Sequence, residues 1–182
     1  MDKVEKLSRF KKIAIYFFIY AFIGWIFEEL FCIATTHEFV KRGFLFGPIC
    51  PMYGYGAVIL LLCFENYRNK PIRLFILASL VFSLFEYITD FFLQALFAIR
   101  WWDYTGFFLN LNGRITITFS LIWGIISLLF IKLLHPCIEK ISEKILAKIP
   151  LIVQKIVINV LLVIMIIDTL ISSIVYSGIF II

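Results

Sequence analysis

Five long apolar runs, 13–35, 50–64, 74–99, 115–134 and 152–178, dictate what this chain can fold into. A helix rises about 1.5 Å per residue, so about 20 apolar residues cross the hydrocarbon core of a bilayer. Hydrophobic residues make up 63% of the sequence and the mean hydropathy is +1.02. A soluble core of 182 residues cannot hide that much apolar surface, whereas lipid accepts it. Inside lipid every backbone amide needs an internal partner, and runs of this length meet that demand as helices. The expected class is all-α: a polytopic membrane helix bundle of about five transmembrane helices, forming a single integral membrane domain over 1–182. The second run is the shortest, and the prolines and glycines at its start predict a broken or re-entrant segment. The length of the last run leaves a sixth crossing open. Glu28 and Glu29 in the first run argue against a cleaved signal peptide.

Orientation follows from the basic residues. With 1–12 as a cytosolic N-terminus, thirteen of the 17 Lys and Arg residues fall on the inner side. The outer side keeps only Lys41, Arg42, Arg100 and Arg114. Every inner segment agrees, which predicts a multi-pass plasma-membrane protein with a cytoplasmic N-terminus. The net charge of +5 is therefore a topology signal. The inner basic residues form no single stripe, so no nucleic-acid partner is expected. Within 135–150, Ile138, Ile141, Ile145 and Leu146 recur at helical spacing among Glu139, Lys140, Glu143, Lys144 and Lys148. This reads as an amphipathic helix at the inner interface, either a linker under the bundle or a docking element for a cytosolic partner such as an ATPase.

The four cysteines form no framework. Cys63 and Cys137 fall on the reducing side; Cys32 and Cys50 lie toward the outer side, where a disulfide is open to them, and read rather as small apolar filler. No Cys/His spacing suggests a metal, and no cofactor is expected. No GxxxxGK[ST] phosphate loop is present, so a nucleotide-driven role requires a separate hydrolysing subunit.

Charged side chains inside a bilayer each need a reason. Glu28 and Glu29 sit in the outer third of the first run. Glu86, Asp90 and Gln94 are spaced four apart and share one helix face. Asp168 and Ser172 repeat that spacing, and Thr116, Ser120 and Gly124 line a face suited to close helix approach. Above these acids lie two polar patches on the outer side. One runs from Arg42 to Gly56, rich in glycine with Pro48 and Pro51; the other joins Trp101, Trp102, Asp103 and Tyr104 to Asn110, Asn112, Gly113 and Arg114. Irregular backbone at the membrane edge must meet protein, water or a ligand, although a tight outer turn and an interfacial aromatic belt account for the same residues. A lone Asp168 can be a protonated donor to a backbone carbonyl. Two carboxylates as close as Glu86 and Asp90 resist ionising together unless a cation is near, and Arg42 and Arg114 are the cations in reach. The expectation is that Glu28, Glu86, Asp90 and Asp168 converge on one outward-opening cavity. Arg114 should pair with Asp103 or Glu86, and Arg42 should approach the same cluster.

Several strings of residues together form a recognisable set. They are Gly24-Trp25-x-x-Glu28; Arg42-Gly43-Phe44-Leu45-x-Gly47-Pro48-x-x-Pro51-x-Tyr53-Gly54-x-Gly56; Glu86-Tyr87; Trp102-Asp103-Tyr104; Asn110-x-Asn112-Gly113-Arg114-Ile115; and Trp123-Gly124. The chain resembles, over about residues 20–175, the bacterial ABC-transporter permease family of the CmpB type. Asp168 and Ser172 resemble its C-terminal pattern, and Thr105 stands where that pattern has Ser. The resemblance implies a multi-pass membrane protein concerned with transport. Glu28 is the better inward candidate of the first acidic pair in that light.

Three functions fit the residues. The first is a membrane component of a small-molecule or ion transporter with its substrate site in the outer half of the bundle. Its binding residues would be Glu28, Arg42, Glu86, Asp90, Trp102, Asp103, Asn112, Arg114 and Asp168, its partners a cytosolic ATPase subunit and a second copy or partner permease. The second is an intramembrane enzyme acting on a lipid or lipid-linked substrate at the outer leaflet, with Glu86 and Asp90 as acid and base and Arg42 and Arg114 holding a phosphate. The absence of an activated Ser or Cys nucleophile in the sequence weighs against catalysis. The third is a regulatory or assembly subunit whose polar cluster only fixes helix packing.

Overall fold

A computed structural model describes residues 8–39, 41 and 43–177. The described chain is helical almost throughout: α1 (Arg9–Thr36), α2 (Pro51–Ile59), α3 (Pro71–Phe97), α4 (Ile117–Leu129), α5 (His135–Leu146) and α6 (Leu151–Tyr176). One two-stranded hairpin interrupts them, β1 (Asn110–Leu111) antiparallel to β2 (Ile115–Thr116). Among the described residues four helical stretches are long and apolar enough to cross a membrane: Arg9–Thr36, Pro71–Phe97, Ile117–Leu146 and Leu151–Tyr176. The chain is an all-α polytopic membrane bundle.

Helix ends follow local chemistry. Ser8 caps α1 by accepting from the Lys11 amide, and α1 stops at His37, whose left-handed φ of 60° returns its N–H to Ile33. Pro71 opens α3, where its missing donor does no harm. Thr116 caps α4. The second apolar run is short and irregular: α2 passes into a π-helical turn (Leu60–Phe64) and a 3-10 turn (Glu65–Tyr67). A helical path over 51–64 rises only about 20 Å, short of a ~30 Å hydrocarbon core. The expected five helices thus become four long ones and this short, interrupted one. A second π-helical turn (Phe130–Leu134) leads from α4 into α5 without a loop. The Gln154 side-chain amide donates to the carbonyls of Leu146 and Ile149, closing the turn into α6.

Burial is inverted relative to a soluble protein. Phe27, Phe31, Leu80, Ile164 and Leu170 are exposed, whereas Glu29, Glu86, Asp90, Thr116, Ser127 and Ser172 are buried. Lipid suits the first group, and helix contacts shield the second.

The chain divides into two compact units, one comprising residues up to Ile59 and from Lys140 onward, the other Leu60–Glu139. In the first unit α1 and α2 mesh through two glycines. The Tyr53 ring occupies the place where a Gly24 Cβ would stand, and the Phe17 ring lies 2.7 Å from the corresponding point at Gly54. The Cys50 amide donates to the Ala21 carbonyl at 2.9 Å, fixing the start of α2 on α1. In the second unit Gly124 of α4 meets Ser79 and Phe75 of α3, and the Ser83 and Ser120 hydroxyls hydrogen-bond at 2.6 Å. Thr116, Ser120 and Gly124 pack as their spacing requires.

Candidate functional site

The first unit holds three of the acids singled out in the sequence, Glu28, Glu29 and Asp168. Gly24 and Glu28 lie one turn apart on α1, so the tyrosine that covers Gly24 can reach Glu28, and the Tyr53 hydroxyl donates to Glu28 Oε1. That geometry explains why Gly24, Glu28, Tyr53 and Gly54 occur together. Glu29 is the more buried of the acidic pair, at 5% exposure. Asp168 on α6 accepts the backbone N–H of Phe46 at Oδ1 (2.9 Å) and that of Gly47 at Oδ2 (2.8 Å), and Ser172 donates to Oδ1 at 3.1 Å. The reading of Asp168 as a protonated donor to a carbonyl is thereby corrected. Its carboxylate is an acceptor, because two adjacent amides of an irregular loop point at it. A Cβ at Gly47 would lie 3.1 Å from Asp168 Oδ2, so glycine allows that approach. Phe44 adds a ring contact with Tyr176, 5.4 Å between centroids. Arg42, the remaining candidate of this patch, lies outside the described residues.

The second unit gathers Glu86, Asp90, Trp102, Asp103, Asn112 and Arg114. Glu86, Asp90 and Gln94 share one face of α3, as their spacing predicts. Glu86 accepts from the Tyr104 hydroxyl (2.9 Å) and from Trp123 Nε1 (3.0 Å). Asp90 is fully buried, and its Oδ2 receives Arg114 Nη1 at 2.6 Å with Arg100 Nε at 3.9 Å. Arg114 Nη2 donates to Gln94 Oε1 at 2.7 Å, so one guanidinium bridges two residues a helical turn apart. Tyr87 and Phe91 flank it, their ring centroids 5.6 and 5.5 Å from its central carbon.

The expected pairing of Arg114 with Asp103 or Glu86 is corrected by this arrangement. Asp103 Oδ1 is taken by the amide and hydroxyl of Thr105 and by Arg100 Nη1 at 3.2 Å. Glu86 is satisfied by two neutral donors. Asp90, lying between Glu86 and Gln94, is the acid that the hairpin brings Arg114 to. The Asp103 pKa is lowered by the Thr105 hydroxyl, then by the Thr105 amide and the Arg100 charge.

The hairpin sets the geometry. Asn112 (φ 55°) and Gly113 (φ 67°) occupy the two central turn positions, and the Arg114 amide donates back to Leu111 at 3.0 Å. Two consecutive positive φ values match the Asn-Gly preference of a tight hairpin. A Cβ at Gly113 would stand 2.7 Å from Asp103 Oδ1 and 3.2 Å from Arg100 Nη1, so glycine also admits that ion pair. Arg100 Nη2 donates to the Asn112 carbonyl, the Asn112 side chain donates to the Tyr87 hydroxyl, and Trp102 Nε1 donates to the Arg114 carbonyl. Two carboxylates bracket two guanidiniums, with side-chain exposure falling from Asp103 (50%) through Arg100 (26%) and Arg114 (14%) to Asp90 (0%).

Sequence reasoning treated Arg100 only as an outer charge; its position three residues before Asp103 was the available signal. Tyr53, Tyr104 and Trp123 stand in the motifs but were given no partner, since nothing in their local sequence announces the acids they reach. Among the described residues no group of three or more His, Cys, Asp or Glu is placed to hold a metal.

Neither a curated protein nor a solved structure matches this chain. Residues 15–173 match the family described as "Putative ABC-transporter type IV", the CmpB type, and the motif set that carried the resemblance lies inside that span. With its long apolar helices and a match over most of its length, the chain belongs to this family of ABC-transporter-related membrane proteins.

Proposed function

We propose that this chain is the membrane component of a small-molecule or ion transporter of the plasma membrane, with its N-terminus in the cytoplasm and its substrate site in the outer half of the bundle. The observation that carries this reading is the Asp90–Arg114 pair, 2.6 Å long, with a fully buried carboxylate on a helix long and apolar enough to cross a membrane. A buried ion pair adds little net stability, because desolvation offsets the attraction. Ionisable groups inside membrane segments mark solute pathways more often than they mark scaffolds. Glu86, Trp102, Asp103 and Asn112 complete the site in the second unit. Glu28, Arg42 and Asp168 are kept as proposed binding residues from the sequence pattern. A cytosolic ATPase subunit and a second membrane subunit, identical or not, are the partners this reading requires.

The test is solute movement. The chain would be purified with whatever subunits accompany it, reconstituted in proteoliposomes, and offered a defined mixture of labelled small solutes. The expected result is nucleotide-dependent movement of at least one solute, abolished by Arg114→Gln in protein that still folds. A wild-type complex that moves none of them, with Arg114→Gln impairing only assembly, overturns the proposal in favour of a packing role.

A further inference from the structure

We infer that Arg100 and Arg114 form an oxyanion-binding site for which the Asp90 carboxylate is the resident internal occupant. The inference rests on the transporter reading and specifies its substrate class: a solute bearing a phosphate or carboxylate group.

The argument begins with unmade hydrogen bonds. Arg114 uses both terminal nitrogens, on Asp90 and Gln94, yet its Nε is buried with no hydrogen-bond partner among the described residues. Arg100 uses its terminal nitrogens on Asp103 and the Asn112 carbonyl; its Nε is likewise buried and unpartnered. That Nε stands 3.9 Å from Asp90 Oδ2, too far for a hydrogen bond. Two guanidiniums therefore address one carboxylate oxygen that only Arg114 truly binds. Asp90 Oδ1 is itself buried and unpartnered. Two buried guanidinium N–H donors stand unmade against one unpartnered carboxylate oxygen, and such groups are strongly disfavoured, so donors outnumber acceptors in the cluster. An oxyanion supplies them in the planar geometry that guanidinium matches, which a single shared oxygen cannot do.

The sign of the ligand follows from the same geometry. A cation approaching Asp90 would meet two guanidiniums beside Oδ2, while Oδ1 is buried. An anion meets Arg100 first, because exposure falls from Arg100 (26%) to Arg114 (14%) to Asp90 (0%). The rings of Tyr87 and Phe91 hold the Arg114 plane while its partner changes. Binding is thus an exchange in which the ligand takes over the guanidiniums and Asp90 gives them up.

The full-length protein, in detergent and in phosphatidylcholine nanodiscs, would be melted against inorganic phosphate and acetate, with chloride holding ionic strength constant. Wild type should melt higher with phosphate or acetate. Arg100→Gln should lose that shift, and Arg73→Gln should keep it. Asp90→Asn removes the charge of the internal competitor and should bind phosphate about tenfold tighter, the worth of one charge-assisted hydrogen bond. A purely structural Asp90 predicts no tightening. If Asp90→Asn does not fold, the Arg100→Gln comparison decides alone. No shift in wild type with either anion or in phosphatidylglycerol nanodiscs, full retention in Arg100→Gln, or weaker binding by Asp90→Asn overturns the inference. Protection by free phosphate in phosphatidylcholine assigns a soluble ligand; protection only in phosphatidylglycerol nanodiscs without phosphate assigns a lipid headgroup. A wild type that transports only neutral or cationic solutes defeats this inference alone. One that binds phosphate but moves nothing defeats the transport reading alone.

Discussion

Arg114 reaches Asp90 across 24 residues of sequence at 2.6 Å, and the carboxylate it meets has no exposed surface. The hairpin turn of Asn112 and Gly113 makes that reach possible by placing Arg114 at the foot of β2, against the Asp90–Gln94 face of α3. Removing either partner leaves an uncompensated buried charge. Asp90→Ala and Arg114→Ala should each destabilise the fold by roughly 3–5 kcal/mol, and the double mutant by less than their sum. Unfolding in mixed detergent measures all three. Strict additivity would mean that the two charges do not depend on one another.

Gly113→Ala should disturb the cluster from outside it. A φ of 67° costs a non-glycine residue about 1–2 kcal/mol. The added Cβ would also crowd Asp103 Oδ1 and Arg100 Nη1, at 2.7 and 3.2 Å. The melting temperature should fall, and Arg100 should become easier to modify with a guanidinium reagent. An unchanged reactivity would show that the Arg100–Asp103 pair does not depend on this glycine.

How much of this was legible beforehand depended on the range of each contact. Helix existence, helix class and the shared face of Glu86, Asp90 and Gln94 follow from periodicity, a property of neighbours along the chain. The π-helical entry into α5 does not, because apolar periodicity runs through Phe130–Leu134 without a break. Partner choice was legible only where sequence distance was short. The sequence offers Arg114 either Asp103 or Glu86; Asp103 is its neighbour in the same outer connection, but Thr105 and Arg100 are nearer still and occupy that carboxylate. Asp168 was recognised as a buried acid, while its partners, two backbone amides more than a hundred residues away, leave no trace in side-chain identity.

Asp168→Ala should release the loop that it holds. Two amide donors then lose a charged acceptor, each such bond worth about 1.5–3 kcal/mol. Hydrogen exchange at Phe46 and Gly47 should accelerate by at least about tenfold, with the middle of α3 unaffected as an internal reference. Asp168→Asn, which keeps one carbonyl acceptor, should fall between the two. Exchange at those amides as slow as in wild type would remove Asp168 from the loop's support.

Asp103 supplies a pH prediction whose sign is fixed by its partners. Its folded pKa lies below the ordinary value of about 3.9, held down first by the Thr105 hydroxyl, then by the Thr105 amide and Arg100. The ionised form is favoured in the folded state, so its contribution is complete above the unfolded value. It declines as pH falls toward the folded value and is gone below it. Thr105→Val deletes the largest cause and leaves the amide. Carbon-13 titration of the Asp103 carboxyl should show the midpoint rising toward the ordinary value. A midpoint unchanged by Thr105→Val would contradict the assignment of the hydroxyl as the main cause.

The short second segment makes membrane topology a sharp experiment. Among the described residues four helical stretches are long enough to cross, and an even number of crossings returns the C-terminus to the side of the N-terminus. Thirteen inner basic residues favour a cytoplasmic N-terminus, and they do so only if the segment from Pro51 to Tyr67 also changes sides. The reason is Arg68, Lys70 and Arg73: they follow that segment and join the inner group only after a crossing. Its helical path is about 5 Å shorter than the ~30 Å hydrocarbon core, so a crossing requires local thinning of the bilayer or loop residues 43–50 lying at membrane depth. The Asp168 clamp on the Phe46 and Gly47 amides supports the second arrangement, since it supplies a protein acceptor to backbone that lipid could not satisfy. A reporter fused after Ile182 should therefore read outside, with one fused before Met1 reading inside. Both reporters inside would make 51–67 a re-entrant segment, and Arg68, Lys70 and Arg73 would then stand on the outer face.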